Sequence, residues 1–264
     1  MTRRPDARPS RRALLALCGF ALLLVPGVTF ARTADDWLAE GDQFYAQAHL
    51  PEAARAYAAA VQAAPASFVA LCRASRAESE LGELQSGDEQ RQTRAKAVGH
   101  ARDAIKAAPD SAAGHVWLAV GLGRQALSEG PKTKLALSRE IKSEVDRALA
   151  IDPGVGRAWH VLALWNVKVA SLNAFERMAA NAVLGGVPKG ASMDNAEIAF
   201  HKAIALEPNY VNHHLEYGRL LHDLHRNPDA RRELEKAVSL PPTSDALDAR
   251  YQAEARTLLA KLGK

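Results

Sequence analysis

Five times along the chain one spacing recurs: a small or apolar residue, another four positions on, an alanine three beyond that, and a proline after five more. It reads Ala53, Tyr57, Ala60, Pro65, then Ala97, Ala101, Ala104, Pro109, then Ile141, Val145, Ala148, Pro153. The last two sets are Ala196, Phe200, Ala203, Pro208 and Ala230, Leu234, Ala237, Pro242. Positions i, i+4 and i+7 share one stripe of an α-helix, so each set predicts a helix with one packed face. Alanine on that stripe lets a neighbouring helix come close. Proline then stops the helix, because it lacks an N–H and clashes with the preceding turn. With 6% aromatic residues and abundant alanine, close-packed helices are favoured over a sandwich or barrel.

A matching first helix sits ahead of each stripe. Trp37, Gly41 and Phe44 precede Ala53, and His214, Gly218 and Leu221 precede Ala230 at the same intervals. Trp117 with Gly121, and Trp159 with Ala163, take these roles in the third and fourth units. Helix–turn–helix units of about 34 residues make the tetratricopeptide pattern. The expected fold is all-α, an α-solenoid of about five repeats near 34–67, 68–110, 111–154, 155–209 and 210–242. A C-terminal capping helix is expected over 245–262, with Leu247, Tyr251, Leu258, Leu259 and Leu262 as its apolar stripe. Insertions lengthen the middle units. Residues 83–93 are polar and expected as an exposed loop, and 128–133 as a longer turn. Residues 173–183 predict an extra short helix in repeat four. Its capping box is Asn173 with Glu176, and it should pack Phe175, Met178, Ala179 and Ala182 over the solenoid.

The formal net charge of +4 belongs to residues 1–31, which carry Arg3, Arg4, Arg8, Arg11, Arg12 and Asp6. Removing these from the 34 basic and 30 acidic residues leaves 29 of each, so the body has no nucleic-acid footprint. An apolar run follows at 13–25, then Pro26-Gly27 and small residues around Ala31. Basic start, short apolar core and small-residue exit predict a secretory signal peptide over 1–31, cleaved after Ala31. Ser10-Arg11-Arg12-Ala13-Leu14-Leu15 resembles a twin-arginine export motif. An uncleaved anchor is the alternative, and contact with a membrane is expected only in that case. Either way residues 32–264 would be exported, to a periplasmic location. Beyond Ala31 the one cysteine is Cys72, which excludes an intramolecular disulfide there and reads as a small buried residue.

No Walker loop, dinucleotide fingerprint, HExxH, paired-cysteine zinc motif or nucleophile elbow occurs, so the reading is a protein without catalytic residues or cofactor. One cluster suggests metal chemistry instead: His213, His214, His222 and His225. With His214, His222 and His225 as ligands, it gives the alternative reading of an envelope metal-binding or metal-buffering protein. The preferred reading is an interaction scaffold of the cell envelope, gripping a protein or peptide in the concave groove. The groove positions on the first helices are spaced 3-4-3. They nominate Arg76, His115, Leu118, Arg157, His160, Leu164, Asn212, Leu215, Arg219 and His222. Arginine forks over leucine contacts suit a segment with acidic groups or a free C-terminal carboxylate. Nothing in the sequence sets the oligomeric state.

Residues from about 70 to 260 resemble the regulator of microtubule dynamics proteins, a tetratricopeptide family of animals with bacterial relatives. The resemblance rests on Arg73-Ala74-Ser75-Arg76, His115-Val116-Trp117-Leu118-Ala119 and IKSEVDRALAIDP at 141–153. Its most specific part is 157–203, with LALWNVKVASLNAFERMAANAVLGG and the short inserted helix. It implies a helical adaptor with no catalytic residues to carry over. The family's name implies contact with microtubules and organelles, whereas an exported chain would meet no tubulin.

Overall fold

Prolines and caps divide the chain into twelve helices among the residues that the computed structural model describes, 1–2, 32–183, 186–243 and 245–262. The expected leader falls outside the described residues. The helices are α1 (Ala34–Ala46), α2 (Leu50–Ala63), α3 (Phe68–Leu81), α4 (Gly87–Ala107), α5 (Ala112–Ala126) and α6 (Pro131–Ile151). They continue as α7 (Gly156–Ala170), α8 (Ala174–Val183), α9 (Met193–Leu206), α10 (Val211–Asp223), α11 (Asn227–Ser239) and α12 (Asp248–Leu262). Five hairpins form, α1/α2, α3/α4, α5/α6, α7/α9 and α10/α11, each stacked on the next, and α12 packs against α10 and α11. The architecture is thus all-α with paired helix–turn–helix packing, like that of tetratricopeptide proteins.

Local chemistry sets the ends. Thr33 and Asp36 close a capping box on α1, and the hydroxyls of Ser67 and Ser192 accept the first free amides of α3 and α9. Pro51, Pro131 and Pro228 open second helices, where a missing N–H costs nothing. At the other end, the residue before four of the five closing prolines is pushed out of the helical region. Ala64 lies at φ −141°, ψ 81°, Ala108 at −147°, 79°, and Asp152 at −143°, 101°. All of the stripe residues are buried, the most exposed being Ile141 at 7%.

The third hairpin is offset by two residues from the sequence reading. Three of the five closing proline carbonyls accept a ring N–H six residues on: Pro153 from Trp159 (2.8 Å), Pro208 from His214 (3.0 Å) and Pro109 from His115 (3.1 Å). His115, rather than Trp117, is therefore the counterpart of Trp159 and His214, and the buried Ala119 that of Ala163 and Gly218. Gly121 meets the preceding hairpin instead, a Cβ there lying 3.1 Å from Val98.

Two further expectations are corrected. The insertion at 83–93 is no loop beyond Ser86, because α4 begins at Gly87 and runs 21 residues; α6 begins at Pro131 and is equally long. The α8 capping box forms, with Glu176 N donating to Asn173 Oδ1 (2.9 Å) and Asn173 N to Glu176 Oε2 (2.8 Å). Its apolar face, however, turns outward. Phe175 is 72% and Met178 62% exposed, while Ala180 is buried. Arg177 fixes this orientation by donating to the carbonyls of Val169, Ala170 and Leu172 at the end of α7. Among the described residues no helix is long and apolar enough to cross a membrane.

Candidate functional site

The first helices of the hairpins line one face, and the chain's own C-terminal segment fills it. After α11 the connector, described at 240–243 and 245–247, leads into α12. Leu240, Leu247 and Tyr251 join Leu38 and Tyr45 of α1 and Leu215 of α10 in one apolar cluster. Leu247 is 2% exposed and Asp245 6%. The first and last hairpins thus share a core through this segment.

Charge sets its register. One Asp245 carboxylate oxygen, Oδ2, lies 3.7 Å from Arg76 of α3 and 3.5 Å from Arg157 of α7, and Oδ1 accepts the Leu247 amide at 3.0 Å. The Arg157 guanidinium sits 4.5 Å from the Tyr210 ring and 5.1 Å from Trp117, and Arg76 4.3 Å from Tyr45. Such stacking on aromatic faces suits a desolvated guanidinium. Glu80, one turn after Arg76, accepts from it (3.1 Å) and from the Tyr45 hydroxyl (2.5 Å). The Tyr45 oxygen in turn accepts the Ala246 amide at 3.3 Å. Burial first, then the Asp245 charge, raises the Glu80 carboxyl above the usual range, against the pull of Arg76 and Arg124. Thr243 donates twice to Asp248 Oδ2, from its amide at 2.5 Å and its hydroxyl at 2.7 Å, which fixes the start of α12. Arg250 reaches the Glu83 carbonyl across the face.

The residues nominated from sequence divide into three groups. Arg76 and Arg157 meet a carboxylate, as that chemistry requires, and the carboxylate is the chain's own Asp245. His115, Leu118, His160 and Leu215 are buried packing or hairpin residues rather than groove surface. His115 pairs with Glu144 of α6 at 2.6 Å, which follows from the two-residue offset of its hairpin. His160 lies 3.0 Å, Nδ1 to Nδ1, from His213, whose Nε2 lies 3.1 Å from Glu207. Burial pushes both His160 and His213 below the usual histidine range; the His213 and Arg157 charges add to this for His160. Leu164 packs partly buried against the cluster that holds Phe200 and Leu221, and Asn212 is half-buried. Arg219 and His222 line an open cleft of about 540 Å³ between α10 and α12, with Arg250, Glu254 and Lys261. Arg219 pairs there with Glu254 at 3.1 Å.

The histidine cluster does not converge. His214 Nδ1 faces Glu233 (2.7 Å) and its Nε2 the Pro208 carbonyl, while His222 Nδ1 faces Asn227 Oδ1 (3.2 Å). His225 lies past the end of α10 at φ 58°. Eight helical residues from His214 to His222 span about 12 Å of axis, too far for one ion. Among the described residues no group of three or more His, Cys, Asp or Glu could hold a metal. Cys72 is buried, and burial pushes its thiol up to about 12.

Glu80, Trp117, Arg124, Tyr210 and Asp245 belong to the site and were missed in the sequence. The offset hides Trp117 and Arg124. Asp245 is hidden because a cap is expected to cover the last hairpin, and not to enter the face.

A profile of the family described as "Regulator of microtubule dynamics protein 1-3" matches residues 37–263. Regulator of microtubule dynamics protein 3 of Rattus norvegicus is 30% identical over 196 residues, 74% of this chain and 41% of its own length. Regulator of microtubule dynamics protein 1 of Bos taurus is 29% identical over 192 residues, 72% of this chain and 60% of its own. The chain therefore spans about half the length of these relatives. Among solved structures, a thermophilic TPR protein of Thermus thermophilus superposes with a TM-score of 0.61 at 18% identity. The match covers 84% of this chain and 98% of that one, and it shows a shared fold.

Proposed function

The chain belongs to the regulator of microtubule dynamics protein 1-3 family, and from that premise we propose that it is a non-catalytic interaction scaffold of the cell envelope. It holds an acidic or carboxylate-terminated segment of a partner protein on the face built by its first helices. The observation that carries this reading is Asp245: a segment of polypeptide already lies on that face, its carboxylate between Arg76 and Arg157. Guanidinium groups backed by aromatic rings and an apolar floor are suited to such a ligand. The open cleft at Arg219, His222, Arg250 and Lys261 also holds Asp223 and Glu254, and Glu254 accepts from both Arg219 and Arg250. The envelope location is supported by the composition of residues 1–31, and it leaves no tubulin within reach.

Two measurements test the proposal. Acidic peptides with free C-termini should bind the purified full chain, and Arg219→Glu should weaken them at least tenfold with circular dichroism unchanged. Equal binding of acidic and basic peptides, or no effect of Arg219→Glu, would defeat the ligand assignment. A reporter fused behind residues 1–40 should fractionate with the envelope contents; a wholly cytoplasmic reporter would defeat the location.

A further inference from the structure

We propose that residues 240–252 are a resident ligand of the inner face, held through Asp245, which an acidic partner segment replaces. This inference rests on the reading that the face takes such a segment, and adds how access to it is controlled. The partner chemistry follows from the resident: a carboxylate two residues before a leucine, as in Asp245-Ala246-Leu247, on a turn whose leucine amide donates to that carboxylate.

Three features make the resident replaceable. First, the described residues of 240–247 include no helix, and none of the five hairpin pairings runs through them. Second, the fit is loose where it matters. Asp245 Oδ2 is buried, and its two guanidinium neighbours stand at 3.5 and 3.7 Å, outside hydrogen-bond reach at full strength. Asp248 Oδ1 and Arg124 Nη1, enclosed in the same region, likewise have no hydrogen-bond partner among the protein atoms. Buried polar atoms left unpaired are costly, and a charge-assisted pair is strongest near 2.8 Å. A carboxylate whose backbone is not tethered to α11 and α12 can close those gaps. Third, the apolar anchors are few: Leu240, Leu247 and Tyr251 join Leu38 and Tyr45 of α1 and Leu215 of α10. A partner needs only three such side chains to reproduce that burial.

The test uses the full chain and a fluorescein-labelled peptide of residues 240–252, LPPTSDALDARYQ. Asp245→Asn weakens the resident while keeping its shape, so anisotropy should show the peptide binding this variant at least tenfold tighter than wild type. The same peptide bearing Asp245→Asn should bind neither. Leu247→Ala loosens the resident without touching the charges, and is the second variant if Asp245→Asn unfolds. In wild type, saturating peptide should speed hydrogen exchange at amides 245–252 and leave the hairpins unchanged. Equal affinity for both chains, with exchange at 245–252 undisturbed, would overturn the inference. The two proposals fail separately. If the peptide exchanges in but no unrelated acidic peptide competes, the general acidic partner falls and the resident ligand stands. If unrelated acidic peptides bind without disturbing 245–252, the resident-ligand inference falls and the partner reading stands.

Discussion

Two glycines within first helices should respond to the same substitution in opposite directions. Gly123→Ala places a methyl group on α5 where nothing lies within 4 Å. The only effect is on helix propensity, and alanine is favoured over glycine by about 1 kcal/mol. Gly218→Ala gains the same term, but its Cβ would lie 2.8 Å from Leu234 Cγ, 2.9 Å from Leu234 Cδ2 and 3.3 Å from the Ala230 carbonyl oxygen. Leu234 is wholly buried, and Cγ is its branch point, so it cannot swing aside. Relief requires α10 and α11 to part by several tenths of an ångström, and such overpacking costs about 1–3 kcal/mol. The net expectation is stabilisation by about 0.5–1 kcal/mol for Gly123→Ala and destabilisation by up to ~2 kcal/mol for Gly218→Ala. Urea denaturation followed by circular dichroism reads both as shifts of the midpoint at constant slope. Leu234→Ala alone should cost about 2–5 kcal/mol, and the double variant less than the sum, because the clash disappears with the side chain. Equal stabilisation by the two glycine substitutions would refute the account of how the hairpins close.

Three other outcomes follow from the same geometry. His160 and His213 are held below the ordinary 6.5, so between their folded values and 6.5 the folded chain binds fewer protons than the unfolded one. Their contribution is present above pH 6.5 and lost as pH falls below it. Glu80 and Asp248, whose carboxyls are raised, act in the opposite sense, so the check is the difference between wild type and His160→Gln, which should shrink from pH 7.5 to 5.5. On α8, replacing Phe175 and Met178 by serine should change stability by less than about 0.5 kcal/mol, whereas Arg177→Ala should cost about 1–2 kcal/mol by stripping three carbonyls. Cys72, with its thiol pushed up to about 12, should react with a disulfide reagent only as the chain unfolds; modification of the native protein within minutes would contradict its burial.

The repeated stripe made the hairpins legible because a helix face and a terminating proline are local chemistry. What went astray was decided at longer range. Trp117 and Gly121 imitate the true first-helix pair, having its i, i+4 spacing, and the proline carbonyl that singles out His115 is not visible as a pattern. Residues 87–93 are nearly all polar, which reads as a loop, yet they form the first turns of α4, whose packed stripe begins only further on. On α8 the apolar face was readable and its direction was not, since Arg177 and the end of α7 choose it. For the site, the arginine-and-leucine chemistry was legible at Arg76 and Arg157. Its occupant was not, because sequence periodicity gives a cap a buried stripe without saying which surface it buries.

A double-mutant cycle between Arg157 and Asp245 tests most directly whether the chain fills its own inner face. At 3.5 Å and an effective dielectric near 20 the pair is worth at most about 5 kcal/mol before desolvation is subtracted. Arg157→Gln and Asp245→Asn, alone and together, should therefore show a coupling of about 1–3 kcal/mol in denaturation midpoints. Additivity within about 0.3 kcal/mol would mean that the two groups do not meet in the folded protein.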